Sequence, residues 1–134
     1  MLKSNITSKT IFLYVIFLFL FSVLFNQYYG NLGVCPIDSF ASFNAGYDIL
    51  NGKFPFKDYW TITGPFLAFT QAFLFKLFGV TWFSYIFHAS LINFIFTILT
   101  FYTLYKFKLS IHYCFFYSLL VSILSYPSSG SPYV

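Results

Sequence analysis

The sequence predicts an all-α membrane protein, a multi-span helical bundle with juxtamembrane helices in its first external loop. Composition is the first reason. Of 134 residues, 59% are hydrophobic and only 7% charged, whereas roughly a quarter of the residues in soluble domains carry charge. The second reason is where the charge falls, since it leaves uncharged stretches at 10–37, 77–105 and 109–134. Crossing a bilayer takes about 20 apolar residues; the first two stretches each hold such a run, and the third is shorter on its apolar side but usable. The third reason is the placing of aromatic side chains, with Trp82 and Tyr85 at one end of the second run and Tyr102 and Tyr105 at the other, as headgroup-level belts require.

The first run, "TIFLYVIFLFLFSVLFN" from Thr10 to Asn26, follows a short Lys-bearing head. A secretory leader has an apolar core of about 7–15 residues and a small-residue cleavage site. This run is longer and no such site follows, so it reads as a retained first span over about 10–27. An external loop over 28–63 comes next, broken by Gly30, Gly33, Pro36, Gly52 and Pro55. Within it Phe40, Phe43, Tyr47 and Leu50 recur at near-heptad spacing and Gly52 supplies a stop, which predicts a surface helix over 39–50 with Asp38 as its N-cap. One apolar face lays that helix along the membrane surface.

"GPFLAFTQAFLFKLFGV" (64–80) opens with a Pro suited to a first helical turn and ends at Gly79. At 1.5 Å per residue it spans about 24 Å, short of a crossing of about 30 Å, and it carries Gln71 and Lys76. Were it to cross, Lys106 and Lys108 after the next span would be exported. As an interfacial helix over 64–79 it leaves them beside Lys3 and Lys9 on the cytoplasmic side, as the positive-inside rule favours. Spans over 82–105 and 109–126 follow, and the tail "PSSGSPYV" reads as a polar turn on the side of the acidic loop. The N-terminus is then expected in the cytoplasm, the protein in a bacterial inner (plasma) membrane, and the chain to be the front part of a longer one.

The net charge is +4 from seven lysines without arginine. These lysines stand singly or in pairs, a topology signal rather than a phosphate-tracking patch, and no nucleic-acid partner is expected. Cys35 and Cys114 read as loop and span residues at different depths, and no disulfide is expected. His88 and His112 fall at opposite ends of the membrane, too far apart to share a metal. No Gly-rich phosphate loop, zinc spacing or Ser/His/Asp arrangement occurs; no metal ligands are identified, and the cofactor stays open, a divalent metal being neither indicated nor excluded.

All the acidic residues, Asp38, Asp48 and Asp58, lie in "DSFASFNAGYDILNGKFPFKDYW", and Glu is absent. The topology sets all three on one face of the membrane, where a lipid-linked substrate presents its head group; a loop is also where charge is tolerated most readily. A carboxylate at the low-dielectric edge of a bilayer is suited to take a proton from a hydroxyl. Asp38, directly after the connector from the first span, is the best placed for this, although from the residues alone it reads first as a helix cap. Asp48 reads as part of a solvated helix face and Asp58 as a local partner of Lys57 or an interfacial anchor. Lys53 and Lys57 can meet a phosphate as point charges, whether of substrate or of lipid.

The order of these pieces, an Asp just after the first span, a small-residue helix, "ILNGKFPFKDY", then "GPFLAF" and "FKLFGV", resembles the N-terminal part of GT-C type integral-membrane glycosyltransferases. The nearest branch is that of the protein O-mannosyltransferases and lipid A aminoarabinose transferases. The resemblance covers about residues 10–110. It implies transfer of a sugar from a polyprenyl-phosphate donor to an acceptor hydroxyl, Asp38 as general base, Asp58 and Asp48 in support, and Lys53 or Lys57 at the donor phosphate. Two positions depart from the family pattern: Ser39 stands where a second acid often follows Asp38, and Gly64 where a Lys or His often precedes Pro65. The alternative is a non-enzymatic multi-pass membrane protein, a transporter or assembly subunit, whose acidic loop merely solvates one face.

Overall fold

A computed structural model describes residues 8–34, 36–61 and 64–125. The expectations for Cys35 and for the tail at 127–134 fall outside these residues. The described chain is all-helical: α1 (Ser8–Gly30), α2 (Pro36–Leu50), α3 (Pro65–Phe78), α4 (Trp82–Lys106) and α5 (Ile111–Leu124). No strand occurs among the described residues, only an isolated bridge between Pro55 and Tyr59. Two helices are long and apolar enough to cross a membrane, α1 with 23 residues and α4 with 25, which at 1.5 Å per residue reach about 34 and 37 Å. α3 and α5 have 14 residues each, about 21 Å, less than the hydrocarbon thickness. For the span expected over 109–126, the described helix is therefore shorter than a full crossing.

The helix ends follow from local chemistry. Lys53 N–H donates to the Asp48 carbonyl (3.0 Å) and Gly52 N–H to that of Ile49 (3.0 Å). With Gly52 at φ 80°, this pairing satisfies the last carbonyls of α2. Pro65 occupies the first turn of α3, and Gly79 closes it by donating to the Phe75 carbonyl. α4 is capped by Thr81, whose Oγ1 accepts the Ser84 N–H at 3.2 Å. It ends in the same pattern as α2, with Leu109 N–H on Leu104 and Lys108 N–H on Tyr105. Here the left-handed position is held by Lys108, at φ 60°, rather than by a glycine.

The chain divides into two compact units. The first takes α1 up to Phe25, α4 from Leu91 and all of α5. Its core is Leu18, Phe101, Ile111 and Cys114, flanked by Tyr14, Ile98 and Phe115; Tyr14 stacks on Phe115 at 4.3 Å. Polar side chains join its three helices: Ser22 and Ser122 share a hydrogen bond of 3.0 Å, Asn93 Nδ2 donates to the Ser122 carbonyl at 2.9 Å, and Thr97 donates to Asn93 Oδ1. Cys114, Ser118 and Ser122 recur every fourth residue of α5 and are buried, small enough for neighbouring helices to approach closely.

The second unit is Asn26–Ser90. Its core is Phe75, Tyr85 and Ile86, with Phe43 and Trp82 packed on it. The aromatic rings interlock, Phe43 against Phe75 at 4.8 Å and Trp82 against Tyr85 at 4.9 Å. Trp82 Nε1 donates to the Gly30 carbonyl at 3.0 Å, so the end of α1 lies beside the start of α4. A Cβ on Gly30 would meet Ile86 at 2.9 Å. Trp82 is half-buried as a belt residue can be, but Tyr85 is wholly buried. The Tyr85 ring fills the core of this unit against Phe43 of α2 and Trp82.

Candidate functional site

α2 begins at Pro36, three residues earlier than its apolar spacing indicates, so Asp38 lies inside the first helical turn and does not precede the helix as a cap. A carboxylate there lies at the positive end of the helix dipole. The side chain is exposed. Ser39 beside it is fully buried; Ser39 and Ser42 face the hydroxyl of Tyr85, and Asp38 is near enough for its charge to act on that hydroxyl. These neighbours were missed in the sequence. The spacing of Ser39 and Ser42, three apart on a helix, was the available signal for a shared face, but nothing local points to Tyr85.

Of the apolar face of α2 expected to meet the membrane surface, Phe43 packs on the core of the second unit. Phe40, Tyr47 and Leu50 are exposed, while Ser39, Ala45 and Gly46 are buried. The small residues face inward because α3 comes too close for large ones: a Cβ on Gly46 would stand 2.6 Å from Gln71 Cγ and 3.4 Å from the Ala72 nitrogen.

Asp48 lies ten residues beyond Asp38 on the same helix, about 15 Å along its axis, near the negative end of the dipole. The Lys53 ammonium compensates it, 2.8 Å from Asp48 Oδ1. Hydrogen bonding to Asp48, and then its charge, hold the Lys53 pKa above its ordinary value. Asp58 closes the turn that follows: its Oδ2 accepts the Phe54 N–H at 2.7 Å, and its own N–H donates to the Phe54 carbonyl at 2.9 Å. Tyr59 fastens that turn to α2 by donating to the Ala45 carbonyl at 3.0 Å; burial first, then the charge of Asp48, raises its pKa. Lys57 is exposed, and the described residues contain a single ion pair, Lys53 with Asp48.

The structure thus separates the acids by task. Asp38 stands at the head of α2 beside buried hydroxyls, Asp48 and Lys53 secure the helix end, and Asp58 shapes the turn. Of the two readings of Asp58, local partner of Lys57 or interfacial anchor, the first is not seen: the two side chains form no ion pair among the described residues. No group of three or more His, Cys, Asp or Glu side chains gathers among the described residues. His88 is buried and bonded to Thr70 at 2.8 Å, and His112 is bonded to Tyr14 at 2.7 Å; both are tied into helix packing. Comparison of the chain with protein-family models, with curated proteins and with solved structures finds no match in any of the three.

Proposed function

We propose that this chain is the N-terminal membrane region of a glycosyltransferase that moves a sugar from a polyprenyl-phosphate donor to an acceptor hydroxyl at the external membrane face. The observation that carries the reading is Asp38: the acid that the GT-C-like sequence order singles out is exposed at the head of α2, a short connector away from α1. The contact between Trp82 and Gly30 supports the topology, since α2, the turn and α3 are strung between the adjoining ends of two membrane-length helices.

In this reading the Asp38 carboxylate accepts the proton of the acceptor hydroxyl as its oxygen attacks the anomeric carbon. The bond from that carbon to the phosphate oxygen breaks, and polyprenyl phosphate leaves with the electron pair, inverting the anomeric configuration. Asp48 and Asp58 support the site by fixing the loop. Lys57 is the lysine available to the donor phosphate, because Lys53 is committed to Asp48. The prenyl tail partitions into the bilayer and confines donor and site to the same plane.

The test is Asp38→Asn in the full-length protein, assayed with polyprenyl-phosphate sugars. Transfer falls by a factor of about 10² or more, the scale of lost general-base catalysis, with membrane insertion unchanged. Retained transfer removes Asp38 from the chemistry. A full-length protein that uses no such donor favours the transporter or assembly-subunit alternative.

A further inference from the structure

The turn between α2 and α3 holds aromatic side chains that the described chain leaves more than half exposed. Phe54, Phe56 and Trp60 are exposed by 57, 58 and 75%, and none belongs to a helix long enough to cross the membrane. Phe56 is moreover held at φ 65°, a left-handed conformation that is unfavourable for a bulky residue and that burial within the described chain does not offset. The turn is nevertheless built to keep this shape. Asp58 clamps it across Phe54, Phe56 N–H donates to the Tyr59 carbonyl at 2.7 Å, and Tyr59 ties it to α2. The Phe54 ring packs edge-on to Phe69 of α3 at 5.6 Å, and α3 also leaves Phe66, Phe73 and Leu77 exposed.

We propose that this turn is a lipid anchor, a preformed aromatic wedge that seats Phe54, Phe56 and Trp60 at the headgroup level of an anionic bilayer surface, with Lys57 meeting lipid phosphate. A bilayer is the occupant because the turn is tethered to one: the segment runs between the end of α1 and the start of α4, two membrane-length helices hydrogen-bonded to each other at Trp82 and Gly30. Its side chains match that boundary, where indole and phenyl rings enter the apolar edge while an ammonium stays among phosphates. The exposed lysine, unpaired in the described residues, supplies the charge complement. The anchor fixes the height of the loop above the membrane; its rings, Phe54, Phe56 and Trp60, have no part in the proposed transfer, while Lys57 is shared between lipid phosphate and the donor phosphate of that reading.

The chain has two tryptophans, Trp60 and Trp82, so the fluorescence lost in Trp60→Phe reports Trp60. In vesicles of phosphatidylcholine and phosphatidylglycerol, lipids brominated near the headgroup end of the acyl chain quench this component and aqueous acrylamide scarcely does. Quenching by acrylamide without quenching by brominated lipid overturns the proposal, because the turn then faces water. Protection from both quenchers overturns it too, since another protein surface then covers the ring. Asp58→Ala, with helicity unchanged by circular dichroism, loses most of the lipid quenching; undiminished quenching would refute the preformed wedge. Removing phosphatidylglycerol weakens the quenching in the wild type but not in Lys57→Ser, and an equal response in both would refute the charge contact.

Discussion

Gly46 of α2 and Gln71 of α3 touch so closely that no side chain fits between the helices: an added Cβ would lie 2.6 Å from Gln71 Cγ and 3.0 Å from its Cβ. These atoms are at the root of a buried side chain, which cannot swing aside as a flexible tip would. Gly46→Ala gains up to about 1 kcal/mol of helix propensity but forces a shift that costs about 1–3 kcal/mol in a packed site. A net loss of stability is expected, larger for Gly46→Val, measured by denaturant titration in detergent micelles. Unchanged or raised stability in both variants would refute the close approach.

The pairing of Lys53 with Asp48 has a definite pH signature. Hydrogen bonding to Asp48 raises the Lys53 pKa above 10.5 in the folded chain. A cation whose folded pKa exceeds its unfolded one binds its proton more tightly when folded. Its contribution is complete below about pH 10.5 and disappears as the pH rises through the folded value. NMR titration of the Lys53 ammonium should show the elevated midpoint, and Asp48→Asn should bring it back toward 10.5.

Asn93 spans two hydrogen bonds in the first unit, one to the Ser122 carbonyl and one from Thr97. Polar contacts between membrane helices contribute about 0.6 kcal/mol on average and up to about 1.7. Asn93→Leu is expected to destabilise the chain by about 1–2 kcal/mol in a mixed-micelle unfolding titration. Ser118→Ala is expected to cost nothing by the same measurement, because Ser118 Oγ is buried without a hydrogen-bond partner among the described residues.

Lys108 occupies the left-handed position that ends α4, a conformation that costs a side-chain-bearing residue about 1–2 kcal/mol. Lys108→Gly relieves this and, after the greater freedom of glycine in the unfolded chain is set against it, is expected to stabilise the turn slightly. Hydrogen exchange reads the effect directly, as slower exchange at Leu109, whose N–H closes that turn on Leu104.

Much of the architecture was legible because its signals are local. An apolar run without charge requires a long helix at Ser8–Gly30 and Trp82–Lys106; Pro65 and Gly79 bracket α3, and Gly52 ends α2. Each needs only the conformational preference of one residue type or the solvation of one segment. The start of α2 was misplaced because apolar spacing begins at Phe40, whereas the turn that holds Asp38 begins at Pro36, without an apolar repeat to mark it.

Sequence alone determined that this chain is helical, apolar enough for membrane-length helices, and acidic in one stretch only, since these properties follow from what each residue prefers beside water or lipid. Tertiary structure decided how that acidic stretch is used. Which face of α2 turns inward depends on how near α3 approaches, which is why Gly46 rather than Phe40 is buried. The three aspartates part company for the same reason: Asp48 meets Lys53 and Asp58 clamps Phe54, while Asp38 is exposed, with its charge in range of the hydroxyl of Tyr85, a residue 47 positions away that only packing brings near.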